Sequence, residues 1–366
     1  MASRRPASKS PAKSAASRPL VPPARVFVTL ASLAAAAVMV RMGLLEPLVG
    51  GIVDAAVQNI ITLILGFSAL MALVGWFLFQ SGHPASRKWA LAIGLLAPVV
   101  LACAVFRIER VSGDLVPQLT FRWAPSPDRL LPKVAAPAAE AVASPAWEAT
   151  SADFPGFLGP QGSAALDGPI LDPAWDTRPP EKLWRRPIGA GWSGFATCGD
   201  HAVTLEQRGD EEIVSCQSVA TGTVEWTVAV PARHATVLGG VGPRSTPTIA
   251  GGVVYSTGAT GWLHAIDGAR GRVLWKNNVL EDLGIDAAAH EAVVPWGRAG
   301  SPLVTESLVI VPGGGPRQDG SAVSIVAYDR TTGERRWMGG ADQISYVSPQ
   351  LASIAGRTVV LTVNES

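Results

Sequence analysis

The stretch Thr331–Trp337, with the sequence TTGERRW, places a glycine four residues before a tryptophan, and the same spacing occurs twice more. ARGRVLW ends at Trp275, and ATGTVEW ends at Trp226. Glycine readily adopts the positive φ that a tight turn requires, and a tryptophan after such a turn can bury a large apolar surface. The repetition therefore predicts a turn-and-strand unit that is copied three times, not three separate active sites.

Prolines form a second landmark, in the stretches RSTPTI, AGSPLV and YVSPQL. After the first of them come four runs typical of short strands: PTIAG, GVVYSTG, WLHAID and RVLW. Four short strands repeated about every 45–60 residues are the pattern of β-propeller blades. We therefore predict a propeller in residues 154–366, with about three and a half blades. Each tryptophan should pack against the next blade.

The first third of the chain accounts for its positive mean hydropathy of +0.26. Residues 1–25 carry six basic side chains and no acid, and their Ser, Ala and Pro content predicts a disordered tail. Three apolar runs follow within residues 26–106, and a helix of about 20 apolar residues spans a bilayer. We predict three transmembrane helices there. A signal peptide is the alternative for the first run, because a basic segment precedes a short apolar stretch.

Basic residues alternate around the three runs in the order that the positive-inside rule requires. The tail and Arg87/Lys88 are expected in the cytoplasm, and the loop with Glu46 and Asp54 is expected outside. This order predicts a multi-pass protein of the inner (cytoplasmic) membrane, with the propeller facing the periplasm. Residues 107–153 are interpreted as a polar connection followed by an Ala/Pro-rich linker.

The motif D-x-x-T-G-x-x-x-W, present as DRTTGERRW at residues 329–337, resembles the PQQ-like propeller repeat. Quinoprotein dehydrogenases share that repeat with the lipoprotein scaffold of the outer-membrane barrel-assembly machine. The chain also resembles a family of membrane-anchored PQQ-like proteins, in which several spans precede segments such as FPGFLGP (154–160) and TLEQRG (204–209). The resemblance implies transmembrane α-helices followed by an all-β propeller. Since the family normally continues for several more blades, we expect this propeller to be a fragment.

Cys198 and Cys216 fall on the first and third strands of one predicted blade. Strands that far apart are separated by about 10 Å, which is too far for a disulfide, so both are interpreted as small apolar fillers. The five histidines show no metal-ligand spacing, and no metal site is predicted. His264 is expected to be a strand histidine that its neighbours satisfy. Glu206 and Arg208 are expected either as a salt-bridged surface pair or as a polar anchor at the channel mouth.

Arg244, Trp296, Arg298 and Tyr346 precede predicted inner strands and should ring one end of the central channel. Arginine with aromatic rings can hold a planar anionic ligand, so Arg244, Trp296 and Arg298 are the weak candidates for cofactor binding. Loop capping and channel filling are the structural alternative. Residues 276–295 contain four acids but no alternating oxygen ligands around a glycine, which predicts a solvated loop and not a calcium site.

Two functions remain open at this stage. The first is a binding or scaffold module whose loops contact a protein or a polysaccharide. The second is a PQQ-dependent oxidoreductase of the sugar or alcohol dehydrogenase type, which would use calcium and pass electrons to membrane quinone. Such enzymes resemble one another in a vicinal Cys-Cys pair, which this chain does not have. The binding module is therefore favoured, with the bilayer as one partner, no cofactor and no catalytic residue. The net charge of +1 argues against nucleic acid.

Overall fold

The computed structural model describes residues 18–44, 54–132, 147, 149–166 and 172–365. The chain divides into two compact units, Met1–Arg122 and Trp123–Ser366. The predicted disordered tail, apart from its last eight residues, and most of the Ala/Pro-rich linker lie outside the described residues.

The described part of the first unit contains three apolar helices and a hairpin. The helices are α1 (Ala24–Arg41), α2 (Ala55–Gly75, continued by a π-helical turn over Trp76–Gln80) and α3 (Ala85–Val105). All three are long and apolar enough to cross a membrane, which confirms that part of the sequence prediction. Strands β1 (Phe106–Val111) and β2 (Pro117–Phe121) pair antiparallel, where the sequence had suggested only a polar connection.

The second unit contains three antiparallel four-stranded sheets, each built from consecutive strands. The first blade consists of β3 (Ala196–Cys198), β4 (His201–Arg208), β5 (Glu211–Ser218) and β6 (Val224–Val230). A small hairpin follows, made of β7 (Ala235–Thr236) and β8 (Gly240–Val241). The second blade consists of β9 (Thr248–Ala250), β10 (Val253–Thr257), β11 (Trp262–Asp267) and β12 (Arg272–Asn278).

The third blade follows two short helices, α4 (Val279–Leu283) and α5 (Ala287–Val293). It consists of β13 (Leu303–Val304), β14 (Leu308–Gly314), β15 (Val323–Asp329) and β16 (Arg335–Gly339). The remaining strands are β17 (Gln343–Ile344), β18 (Gln350–Ile354), β19 (Arg357–Leu361) and β20 (Asn364–Glu365). Strand β18 pairs with β19 as the start of a fourth blade, and β17 pairs with β20. The fold is thus an incomplete propeller after apolar helices, as predicted, although residues 276–295 form helices where a loop was expected.

The repeated tryptophans join neighbouring blades. The indole Nε1 of Trp226 donates to the carbonyl of Gly268 at 2.7 Å, in the β11–β12 turn of the next blade. A Cβ on Gly271 would lie 2.5 Å from Cγ of Trp226, and its φ is +63°, so only glycine suits this place. Trp275 repeats the arrangement on the third blade: its Nε1 donates to the carbonyl of Arg330 at 3.0 Å.

Trp184 shows the same docking without a strand of its own. Its Nε1 donates to the carbonyl of Val219 at 2.7 Å, and its ring lies against Gly222 in the turn of the first blade. The stretch EKLW (181–184) resembles the closing strand of a preceding unit in sequence, but residues 180–189 have no strand structure. The contact between a tryptophan ring and the glycine turn of the next blade is therefore present here, although no four-stranded sheet precedes it among the described residues.

The segment FPGFLGP lies along the inner edges of the blades. The amide of Phe154 donates to Oγ1 of Thr197, and the amide of Thr197 donates back to the carbonyl of Phe154. The amide of Ile249, in the next inner strand, donates to the carbonyl of Pro155 at 2.7 Å. Beside this segment a cavity of about 410 Å³ reaches the inner strands of the second and third blades and the start of the fourth. The segment thus satisfies main-chain groups that an inner edge strand would otherwise leave unpaired.

Cys198 and Cys216 are both buried and free, as predicted. They belong to the apolar core of the first two blades, together with Val203, Trp226 and Val254.

Candidate functional site

One end of the propeller collects the longest connections. Because the strands of each blade are antiparallel and consecutive, the β4–β5, β6–β9, β10–β11 and β12–β13 connections lie at the same end. We call it the upper end. The turns β3–β4, β5–β6 and β11–β12 lie at the opposite, lower end. The upper end carries the residues that the sequence analysis placed at the channel mouth.

Three of the four predicted channel-mouth residues come together. The rings of Trp296 and Tyr346 meet edge to face, with centroids 5.4 Å apart. Arg244 lies close enough for its charge to affect Tyr346, and burial lowers the pKa of Arg244. Its buried Nη1 has no hydrogen-bond partner among the described residues. A cation with an unused donor beside two aromatic rings is suited to an acidic group on a ligand or a partner.

Arg298 does not join this group. Its side chain is almost fully buried, and its two terminal nitrogens donate to the carbonyls of Pro312 and Gly313. Burial lowers its pKa to about 10, which still leaves the guanidinium charged at neutral pH. The contacts fasten the β12–β13 connection to strand β14. Arg298 therefore has a structural role, the alternative that the sequence left open for this set.

An exposed apolar surface lies beside Trp296, and sequence reasoning missed it. We define the aromatic rim as five exposed side chains of the upper end. Trp192 and Trp296 flank the β7–β8 hairpin, Val237 and Leu238 lie at its tip, and Val347 follows Tyr346, whose ring contacts Trp296. Their exposed fractions range from 41% to 65%. The hairpin separates the two tryptophans: a Cβ on Gly240 would lie 3.7 Å from Nε1 of Trp192, and one on Gly239 would lie 2.9 Å from Cα of Trp296. Only the fold brings these residues together.

A cavity of about 300 Å³ lies between the connections of the upper end. His234, His290, Glu291 and Thr260 are among its lining residues. Burial lowers the pKa of both histidines to about 4, and the charges of Arg244 and Arg298 act in the same direction. Nδ1 of His290 contacts the carbonyl of Gly315 at 2.8 Å, whereas Nε2 of both rings is buried without a partner. The 3.4 Å contact between His234 and Glu291 therefore joins a neutral imidazole to a carboxylate at neutral pH.

Two buried carboxylates hold upper-end segments in place. Glu206 pairs with Arg208 at 3.0 Å and accepts a hydrogen bond from the amide of Gly189. Both side chains of the pair are at most 10% exposed, so the pair is a buried anchor and not a surface contact. Glu212 accepts from the amide of Ala259 at 2.9 Å, and burial raises its pKa to about 7.

His264 departs from its expected role. The side chain is buried in strand β11, but its Nε2 has no hydrogen-bond partner among the described residues. Burial lowers its pKa to about 4, and the charge of Lys276 adds to that effect. The imidazole therefore stays neutral at neutral pH, but its Nε2 receives no hydrogen bond from the described neighbours.

Residues 209–365 match the model of the family described as outer membrane protein assembly factor BamB. The match covers most of the three blades and confirms the resemblance to the PQQ-like repeat for that part of the chain. No curated protein matches the sequence significantly.

Several solved structures are similar to part of this chain. A quinohemoprotein alcohol dehydrogenase from Comamonas testosteroni is 18% identical over 52% of this chain and 27% of its own, with a TM-score of 0.40. A europium-containing methanol dehydrogenase is 17% identical over 43% of this chain and 26% of its own, with a TM-score of 0.31. BamB from Moraxella catarrhalis is 17% identical over 40% of this chain and 47% of its own, with a TM-score of 0.23. This chain thus spans about a quarter of the length of either dehydrogenase.

Proposed function

We propose that this chain is a scaffold of the inner membrane, with its propeller in the periplasm, and that it binds a protein partner through the aromatic rim. The three apolar helices support a membrane anchor. The rim supports the binding role, because tryptophan, tyrosine and arginine are enriched at the energetic centres of protein interfaces. The upper end then serves for recognition, and no bond is made or broken there.

The observation that carries this proposal is the contiguity of the rim. Single exposed apolar side chains are normal on a protein surface, whereas contiguous ones mark interaction sites. Trp192 and Trp296 flank one hairpin, whose tip carries Val237 and Leu238. Arg244 adds an unpaired donor next to Tyr346. We therefore expect a partner that presents apolar side chains together with a carboxylate.

The upper end does not fit PQQ, and we propose that the chain binds none. A tricarboxylate quinone needs several cations, or a bound metal, to offset its desolvation. Arg298 is committed to two main-chain carbonyls, and Arg233 pairs with Asp128 at 2.7 Å. Among the described residues, Nη1 of Arg244 and Nε of Arg298 have no hydrogen-bond partner, but Arg298 is almost fully buried, which leaves Arg244, of the predicted cofactor-binding residues, as the cation nearest to the surface. One cation beside an exposed ring is a weak site for three carboxylates.

The binding role can be tested by photo-crosslinking in intact cells. A photoreactive amino acid at position 192 or 296 should give the same discrete protein adduct, since both positions flank one hairpin. The matched control is position 219, because Val219 is 40% exposed and lies in the β5–β6 turn of the lower end. We expect no such adduct there. Leu238→Ala should weaken the adduct from position 296 several-fold.

Three results would contradict the binding role. Adducts that are equally strong from position 219 would show that the rim is not selective. Adducts with polysaccharide alone would replace the protein partner by a carbohydrate. Saturable binding of PQQ with calcium to the detergent-solubilised chain at about micromolar concentration, abolished by Arg244→Ala, would favour the oxidoreductase.

The membrane topology gives a separate prediction. A reporter fused after Ala85 should lie in the cytoplasm, and one fused after Thr150 should lie in the periplasm. Ala85 begins α3 and Arg87/Lys88 follow it at once, so the positive-inside rule keeps this end of the helix inside. Paired alkaline phosphatase and green fluorescent protein fusions report the side at each position. Both fusions on the same side of the membrane would refute the three-span arrangement.

A further inference from the structure

A second cluster of chemically active side chains lies at the lower end of the first blade, away from the aromatic rim. His201 begins β4, Cys216 lies near the end of β5, and Glu225 lies near the start of β6. Nδ1 of His201 lies 2.7 Å from Oε2 of Glu225, and Sγ of Cys216 donates to the same oxygen at 3.2 Å. The nitrogen, sulfur and oxygen atoms all lie within 4.8 Å of one another.

We propose that His201, Cys216 and Glu225 form a binding site for a divalent transition metal, with zinc as the best fit. Imidazole nitrogen, thiolate sulfur and carboxylate oxygen are the ligand types that zinc takes in proteins. Ligand atoms about 2.0–2.3 Å from a tetrahedral zinc lie roughly 3.3–3.8 Å apart. The observed separations of 2.7 and 3.2 Å therefore need to open by about half an ångström.

The position of Glu225 depends on a β-bulge. Cys216 pairs with Trp226 and Gln217 pairs with Val224, so Glu225 is the extra residue on β6. Bulges re-aim side chains and are frequent next to functional sites. Here the bulge places the carboxylate beside Cys216, on the neighbouring strand.

The other two blades have the same bulge but not the same chemistry. Sheet registers place the equivalent of Cys216 at the strand partner of Trp275 or Trp337, and the equivalent of Glu225 directly before that tryptophan. The equivalent residues in the second blade are Val253, Ala265 and Leu274. Those in the third blade are Leu308, Ala327 and Arg336. Blade packing therefore does not require a histidine, a cysteine and a glutamate at these positions.

The cluster is both oriented and accessible. The indole of Trp147 stacks on the His201 ring, with centroids 4.3 Å apart and an interplanar angle of 15°. The side chains of His201 and Glu225 keep 24% and 29% of their surface exposed, so an ion can enter from solvent. Cys216 lies beneath them and is fully buried. Three protein ligands on one side leave the fourth position of a tetrahedral ion to water.

Metal binding replaces a hydrogen bond by coordination. Without metal, the Cys216 thiol donates a hydrogen bond to Glu225. On binding, the sulfur–hydrogen bond breaks, the electron pair stays on sulfur, and a sulfur–metal bond forms. The thiol proton passes through Glu225 to solvent, and the Nδ1 proton of the neutral His201 ring moves to its Nε2, so one proton is released for each ion bound. No oxidation or reduction takes place.

The test is titration of the detergent-solubilised full chain with zinc by calorimetry, and with cobalt(II) by absorption. We expect one saturable zinc site at about micromolar concentration or tighter, and a sulfur-to-cobalt charge-transfer band. Cys216→Ala should abolish the band and weaken zinc binding at least about 100-fold. Alanine already stands at this position in the other two blades, so the variant should fold. The control is Cys198→Ala, which removes the other buried cysteine of the blade and should leave both signals unchanged.

His201→Val and Glu225→Leu introduce the residues of the second blade and should each weaken zinc binding at least about tenfold. They also keep the proposal testable should Cys216→Ala fail to fold. Absence of saturable zinc binding to the unaltered chain would overturn the proposal. A charge-transfer band that survives Cys216→Ala, or one that Cys198→Ala removes, would do so as well.

Discussion

Replacing Trp275 by alanine is expected to lower the free energy of unfolding of the propeller by about 3–5 kcal/mol. The ring is 9% exposed and belongs to the core between the second and third blades. Its Nε1 also donates to the carbonyl of Arg330, which lies in the turn of the third blade. The substitution leaves a cavity and removes the donor of a part-buried carbonyl, and both effects destabilise the fold. Urea unfolding of the detergent-solubilised chain, followed by near-ultraviolet circular dichroism, measures the change.

Trp337 provides a matched control, because it holds the same place in the repeat but is 39% exposed. Trp337→Ala should cost less than about half as much as Trp275→Ala. Equal losses of unfolding free energy for the two variants would show that docking on the next blade adds no stability. A loss below roughly 0.5 kcal/mol for Trp275→Ala would mean that the ring is not a core residue.

Acidification from pH 7 to pH 5 is expected to lower the free energy of unfolding by about 3–4 kcal/mol. The pKa values of His234, His264 and His290 fall from the ordinary 6.5 to about 4 in the folded protein. The unfolded chain therefore binds more protons than the folded chain between pH 4 and 6.5, and acid favours unfolding. Between pH 7 and pH 5, each of the three imidazoles lowers the free energy of unfolding by about 2 kcal/mol.

Glu212 acts in the opposite direction. Its pKa is about 7 in the folded protein and 4.5 ordinarily, so the folded state holds a proton that the unfolded state releases as the pH rises. This offsets about 2 kcal/mol of the loss between pH 7 and 5. Urea unfolding at several pH values measures the balance. His264→Gln should reduce the acid loss by about 2 kcal/mol, and Glu212→Gln should increase it by a similar amount. A protein as stable at pH 5 as at pH 7 would contradict the prediction.

The fold was largely predictable because its signals are local and repeated. A glycine with positive φ and a tryptophan four residues later lie within a single turn and strand, so the sequence alone indicates them. Their docking partner could be inferred because every blade repeats the same contact. Apolar run length likewise predicted the three helices. The helices α4 and α5 escaped prediction because they have five and seven residues, too few to establish a helical period.

The candidate sites were less predictable because they depend on contacts between distant segments. Trp192 and Trp296 are separated by about a hundred residues in sequence and are brought to opposite sides of the β7–β8 hairpin only by the fold. Arg298 and Arg244 both precede an inner strand in the sequence. The buried Arg298 side chain donates to two main-chain carbonyls, so its role is structural, which the sequence does not reveal. Glu225 is nine residues from Cys216, a spacing that acquires meaning only when the bulge is known. Sequence spacing predicts metal ligands on one turn or helix, not across three strands.

The docking of each tryptophan on the following blade has a consequence for biogenesis. A chain leaves the ribosome from its N-terminus, so Trp226 emerges 45 residues before Gly271, the glycine that receives it. At about 5–20 residues per second this interval lasts several seconds. Until then no turn covers the indole. The unfinished blade exposes apolar surface that chaperones or other nascent chains can bind. Translation speed between one tryptophan and the next glycine thereby sets how long the growing protein is exposed to aggregation.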